Sequence, residues 1–280
     1  MHPVLFRIGR FELHSYGVML AIAFAVGIWL AARRAPKYGV DRNHIMDLAT
    51  IIILSAIVGS RAMYVVFHLD EFRGHWADTF NPFQSTGEFG LAGLTFLGGL
   101  ILALIAAALY VHWKRLPFLR VADVIMPSMA LGLFFGRIGC FLNGCCFGVP
   151  GKGPFCIVFP PESPAGATFP NVPIYPTQLF SSLGALAIFG LLLLLERRHR
   201  FEGFLFYWSL VLYGVGRLLI DFLRYYESAM VALRIGALRM SVNQVLSLGL
   251  IIFGATMLWL KGRRHPHAGP EGVRSGSGGR

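Results

Sequence analysis

Long apolar stretches recur along the chain and are separated by shorter polar segments. They lie near residues 16–33, 47–67, 94–113, 122–142, 177–195, 203–224 and 241–260. A helix needs about 20 mostly apolar residues to cross the hydrocarbon of a bilayer, so each stretch is predicted to be a spanning helix. The first run leads straight into Arg33 and Arg34 without a cleavage-site pattern, so it is expected to stay as a helix and not to be removed as a signal peptide. Residues 1–15 alternate apolar and polar positions (Phe6 and Ile8, Phe11 and Leu13), which predicts a short interfacial segment.

The connections differ in character. Residues 68–93 are polar with scattered aromatics, as suits a loop or short helix at the interface. Residues 148–176 are dense in proline and glycine and are expected to be irregular, shaping an entrance and not a core. No internal repeat is visible, and no soluble domain. Residues 1–260 are expected to form one seven-helix transmembrane domain, with 261–280 a disordered, basic cytoplasmic tail ending SGSGGR.

Composition agrees with this pattern. The chain of 280 residues is 55% hydrophobic and only 14% charged, with mean hydropathy +0.62, and a soluble domain carries about 25% charged residues. The predicted fold class is therefore an all-α integral membrane protein with seven transmembrane helices. The net charge of +11 could point to nucleic acid, but its placement does not. Fifteen of the 25 Lys and Arg fall in 33–46, 113–122, 196–202 and 261–280, against six in the alternate connections. By the positive-inside rule the N-terminus is expected outside and the C-terminus in the cytoplasm, as seven crossings also require. The basic excess is read as a topology signal with some attraction to anionic lipid headgroups, and no nucleic-acid partner is expected.

Four arginines remain inside or at the edge of the apolar runs: Arg61, Arg137, Arg217 and Arg224. A charge at that depth costs about 2.5–3.5 kcal/mol on insertion scales, so each is a functional candidate. Arg61 lies 14 residues beyond Asp47, Arg137 14 beyond Asp123, and Arg217 15 beyond Glu202, each acid marking the cytoplasmic end of its helix. At 1.5 Å per residue, three helices deliver a cation to one layer roughly 21–23 Å across. A single arginine can snorkel or pair with an acid for packing, whereas three at matched depth point to a shared site. Gly59, Gly136, Gly214 and Gly216 precede these arginines and allow close helix approach. Arg217, Asp221 and Arg224 are predicted to share one helix face. Tyr16, Thr95 with Gly98 and Gly99, Thr177 with Gln178, and Asn243 with Gln244 add polar groups in the same layer. Guanidinium offers planar paired donors suited to phosphate, so the ligand class indicated is a phospholipid headgroup.

Cys140, Cys145, Cys146 and Cys156 all fall at or beyond the outer end of the fourth run. A disulfide between Cys156 and Cys145 or Cys146 is an open expectation in an oxidising compartment. A metal site is set aside, because the spacing of Cys140, Cys145 and Cys146 is not that of a zinc motif and no histidine is near.

With these residues in hand, the chain resembles the bacterial prolipoprotein diacylglyceryl transferases over nearly all seven helices. Tyr16-Gly17 resembles that family's first-helix Tyr-Gly, and Gly59-Ser60-Arg61 with Tyr64-Val65 its Gly-x-Arg-x-x-Tyr-Val. Phe96-Leu97-Gly98-Gly99-Leu100 resembles Phe-His-Gly-Gly-Leu, and Gly136-Arg137-Ile138-Gly139-Cys140-Phe141-Leu142-Asn143-Gly144 resembles Gly-Arg-x-Gly-Asn-Phe-x-Asn-Gly. Pro176-Thr177-Gln178-Leu179 resembles Pro-Ser-Gln-Leu. Tyr213-Gly214 through Arg217, Asp221 and Arg224 resembles the family's Tyr-Gly-x-x-Arg with a following acid and arginine.

The resemblance implies transfer of diacylglycerol from phosphatidylglycerol to the lipobox cysteine thiol of a preprolipoprotein signal peptide, in the bacterial inner membrane, with release of glycerol phosphate. On that reading Arg137 and Arg217 are catalytic and hold the phosphate. Tyr16, Arg61, Gly98, Gly99, Asn143, Gln178, Asp221 and Arg224 bind substrate, and no metal or organic cofactor is required. Leu97 stands where the family has histidine, Cys140 where it has asparagine, and Cys145 where it has an acid. These departures remove two candidate bases and leave three readings. The base is elsewhere, the cationic cavity itself lowers the acceptor thiol's pKa, or the chain is a divergent phospholipid-binding relative with altered or no transfer. A transporter of anions or lipid phosphates is the rival from another class, and it ranks lower because no duplicated halves are visible.

Overall fold

The computed structural model describes residues 4–8, 11–72, 95–226, 231–235 and 238–264. Seven helices in it are long and apolar enough to cross a membrane: α1 (Ser15–Arg34), α2 (Arg42–Phe67), α4 (Phe96–Trp113), α5 (Phe118–Asn143), α7 (Thr177–Glu196), α8 (Phe204–Asp221) and α9 (Val242–Arg264). They match the seven apolar runs. Short elements fill the connections: β1 (Val4–Ile8), β2 (Phe11–His14), α3 (Leu69–Phe72), α6 (Pro164–Thr168), β3 (Val231–Ile235) and β4 (Leu238–Ser241). Residues 73–94 of the polar outer connection and 265–280 of the expected tail lie outside the described residues.

Three expectations about the connections are corrected. The start of the expected disordered tail, through Arg264, continues helix α9. The sixth spanning helix ends at Asp221, so Arg224 sits in the turn beyond it and does not share one helical face with Arg217 and Asp221. The proline-rich connection 148–176 has a small core of its own, in which Phe159, Ala165 and Ile174 are buried and Phe141, Phe147, Ile157 and Phe169 pack around them. Proline and glycine prevented long elements there, yet seven apolar side chains were enough to close a satellite cluster.

The chain divides into two compact units. One comprises Met1–Leu5, Leu13–Ala31 and Ala122–Arg280, and the other Phe6–Glu12 and Ala32–Val121. In the second unit, α2 and α4 meet at glycines: a Cβ on Gly59 would lie 2.5 Å from the Gly98 carbonyl oxygen, and one on Gly99 would fall 2.8 Å from that of Ala56. Small residues of this kind bring helix backbones together where the hydrophobic effect does not act between helices. Thr95 fastens the start of α4, its amide and hydroxyl both donating to the Ser60 carbonyl at 3.1 and 3.0 Å.

In the first unit, α8 and α9 approach in the same way. A Cβ on Gly214 would meet the Ser247 carbonyl at 2.9 Å, and one on Gly254 the Tyr207 carbonyl at 2.8 Å. At the other end of α8, the fully buried Asp123 of α5 accepts hydrogen bonds from the Gly203 and Phe206 amides at 2.7 and 2.8 Å and lies 3.0 Å from His199 Nε2. Orphan amides at a helix start need such an acceptor, and here one carboxylate sets α5 and α8 to a common level.

Candidate functional site

That common level decides where two arginines go. Arg137 follows Asp123 by 14 residues on α5, and Arg217 follows Gly203 by 14 on α8. Both therefore climb roughly 21 Å from one anchoring carboxylate. They reach the same cavity, a space of about 280 Å³ between α5, α7 and α8. Its walls are apolar, with Met129 and Leu133 from α5, Phe180 and Ile188 from α7, and Leu212 and Ile220 from α8, while Arg137 and Arg217 supply the cations. The α5 lining runs from Met126 to Arg137, roughly 16 Å along the helix. A long apolar slot with two guanidiniums fits an amphiphile that joins acyl chains to an anionic group.

Arg217 is partly paired. Its Nη2 donates to the Tyr226 hydroxyl at 2.5 Å and lies 3.6 Å from Asp221 Oδ1. Tyr226 donates onward to Asp221 Oδ1, and the Ser241 hydroxyl donates to Asp221 Oδ2, each at 2.5 Å. Asn243 Nδ2 donates to the Tyr226 hydroxyl at 3.1 Å. Asp221 is buried, and burial together with its hydrogen bond to this carboxylate holds the Tyr226 phenol above its usual range. Pairing thus occupies one arm of Arg217. The other, Nη1, is buried and has no hydrogen-bond partner among the described residues. A buried guanidinium N–H without an acceptor carries a full desolvation penalty, which an anionic ligand would relieve.

The end of α5 forms the second part of the site. Gly144 and Cys146 both have left-handed backbones, φ 72° and 60°, so the chain doubles back after Asn143. The turn is pinned from α7, with Gln178 Nε2 donating to the Cys145 carbonyl at 2.8 Å and Thr177 Oγ1 to the Cys146 carbonyl at 3.0 Å. The sulfurs of Cys140, Cys145 and Cys146 consequently lie within 4.8 Å of one another. Hydrogen bonds with the Cys140 and Cys145 thiols pull the Cys146 thiol below its ordinary range, and the Arg224 and Arg137 guanidiniums act in the same direction. None of the four cysteines is disulfide-bonded, and Cys156 stands apart from the trio, against Gly151. The expected pairing of Cys156 with Cys145 or Cys146 is therefore corrected. The spacing argument against a thiol cluster also fails, because the reversal at Gly144 brings residues together that a linear motif would keep apart.

The other expected residues distribute as follows. Tyr16 packs beside Gly139, where a Cβ would sit 3.2 Å from its ring, next to the thiol cluster. Asn143 is the last residue of α5, and Gln178 is fully buried with its Oε1 unpaired among the described residues. Arg224 bridges to Gly148 and places its guanidinium 5.3 Å from the Tyr226 ring centre. Arg61, Gly98 and Gly99 belong to the second unit. Arg61 is buried with the Tyr64 ring 5.6 Å away, and both glycines are buried in the contact with α2, which gives them a packing role. Tyr226 and Ser241 were missed in the sequence. Ser241 carried a usable signal, since Ser241-Val242-Asn243-Gln244 is a capping box in which the Gln244 amide donates to Ser241 Oγ at 3.1 Å and the Ser241 amide to Gln244 Oε1 at 3.0 Å.

Comparison with known proteins finds relatives over most of the chain. The family model described as prolipoprotein diacylglyceryl transferase matches residues 3–260. Among similar proteins, the phosphatidylglycerol–prolipoprotein diacylglyceryl transferase of Clostridium tetani is 32% identical, over 91% of this chain and 95% of its own length. That of Aeromonas hydrophila is 34% identical over 94% and 91%, and that of Prochlorococcus marinus strain MIT 9303 is 34% identical over 98% and 95%. With a family match spanning almost the whole chain, this protein belongs to the prolipoprotein diacylglyceryl transferase family.

Proposed function

We propose that this multi-pass membrane protein transfers the diacylglyceryl group of phosphatidylglycerol to the lipobox cysteine of preprolipoprotein signal peptides. The observation that carries the reading is the cavity of about 280 Å³ that pairs apolar walls with Arg137 and Arg217. The acyl chains lie along α5, α7 and α8, and the phosphate meets Arg137 and the unpaired Nη1 of Arg217. The acceptor thiolate forms a bond to the glycerol carbon that bears the phosphate ester, the C–O bond breaks, and glycerol phosphate leaves with its charge stabilised by the two guanidiniums. The thiol proton passes to solvent before attack, and a cationic cavity favours the thiolate. Asp221 and Tyr226 position Arg217, while Arg224, Tyr16, Asn143 and Gln178 shape the outer rim. Arg61, Gly98 and Gly99 lie in the other unit, where the two glycines pack against α2. The chain is proposed to reside in the bacterial inner membrane, N-terminus outside, with the reaction at the outer leaflet.

The test is incubation of the purified protein with phosphatidylglycerol and a lipobox peptide, followed by mass spectrometry. A diacylglyceryl adduct on the cysteine peptide, absent from its serine counterpart, is expected together with glycerol phosphate. Lipid binding without any adduct would instead identify a phospholipid-binding relative, the reading motivated by Leu97 and Cys145.

A further inference from the structure

The thiol trio is not used by the transfer reaction as derived above. We propose that Cys140, Cys145 and Cys146 form a three-thiolate binding site for a thiophilic d10 cation, with zinc(II) as the representative ion. The geometry fits. A zinc–sulfur bond of about 2.3 Å places tetrahedral ligand sulfurs about 3.8 Å apart, and the three sulfurs already lie within 4.8 Å of one another. They have to close by no more than about 1 Å.

The backbone is arranged to hold this geometry. Adjacent side chains in an extended chain point to opposite faces, so Cys145 and Cys146 would not ordinarily converge. The left-handed conformation of Cys146, φ 60°, turns them together, in a region that non-glycine residues seldom occupy. The Cys145 amide donates to the Cys140 carbonyl at 3.1 Å and closes the turn onto the helix end. Gln178 and Thr177 then fix the Cys145 and Cys146 carbonyls from a separate helix. Outer hydrogen bonds of this kind orient metal ligands and sustain affinity.

Charge also fits. Three thiolates around a divalent ion leave one net negative charge, and the Arg224 and Arg137 guanidiniums act on Cys146. Each thiol releases its proton to solvent as the ion binds, so affinity rises with pH. Three protein ligands leave zinc one exchangeable position.

The experiment is a titration of the reduced full-length protein in detergent with cobalt(II), followed by zinc(II). A sulfur-to-cobalt charge-transfer band that saturates at one equivalent and is bleached by zinc is expected. Cys140→Ser and Cys145→Ser each abolish it, whereas Cys156→Ser retains it. Thermal unfolding of the metal-free variants identifies any that fail to fold, for which the alanine substitution is measured instead. No band in the reduced wild type overturns the proposal, as does a band that survives Cys140→Ser or Cys145→Ser or is lost in Cys156→Ser. The titration contains neither lipid nor acceptor, so its failure is separate from failure of the transfer reading.

Discussion

At the scale of single residues, the site turns on how Arg217 divides its two arms. Asp221 and Tyr226 hold Nη2, and Nη1 stays buried without a partner among the described residues. A salt bridge alone would satisfy the packing explanation for an intramembrane arginine, but it does not account for the second arm. Tyr226→Phe removes the hydroxyl shared by Arg217, Asp221 and Asn243, and steady-state assays are expected to show a roughly tenfold fall in turnover, about 1.4 kcal/mol. The same phenol gives a pH dependence. Its pKa is raised in the folded protein, so its contribution to stability is complete below the ordinary tyrosine value of about 10 and is lost as pH rises through the folded value. Thermal unfolding of the wild type should therefore decline above about pH 10, and Tyr226→Phe should flatten that decline. Arg137, Arg217 and Asp221 were legible in the sequence, because a charge in an apolar run is conspicuous. Tyr226 was not, since a tyrosine at a membrane boundary is ordinary and its partner Asn243 lies 17 residues downstream.

At the scale of elements, hydropathy located all seven spanning helices because the bilayer imposes a length that a sequence must satisfy. The ends were harder to place. Where α8 stops depends on Leu223 and Arg224 turning to pair with Val149 and Gly148, contacts far off in sequence. The β3–β4 hairpin, with Arg234 opposite Arg239, likewise lacked a periodic signal long enough to read. Asp123 shows how one side chain sets the register between two elements. Asp123→Ala leaves the Gly203 and Phe206 amides without their acceptor and is expected to cost about 2 kcal/mol, seen as a lowered unfolding temperature. Gly98→Val would drive a branched side chain into the Gly59 carbonyl and Met63, with an expected loss of about 1–3 kcal/mol by the same measurement.

At the scale of the whole molecule, the charge distribution predicts an external N-terminus, and alkaline-phosphatase fusions after Arg264 should be inactive if the C-terminal side is cytoplasmic. The depth ruler from Asp123 and Glu202 anticipated that Arg137 and Arg217 share a level, and the cavity brings them together. The thiol trio escaped the same reasoning because it depends on a backbone reversal, which spacing along the chain does not encode. The central claim is that these two arginines together hold the lipid phosphate, and the rate of glycerol phosphate release from phosphatidylglycerol tests it most directly. Arg137→Ala and Arg217→Ala should each slow release by about 100-fold or more, while Arg263→Ala at the far end of α9 leaves it unchanged. Release at the wild-type rate from either cavity variant would contradict the account.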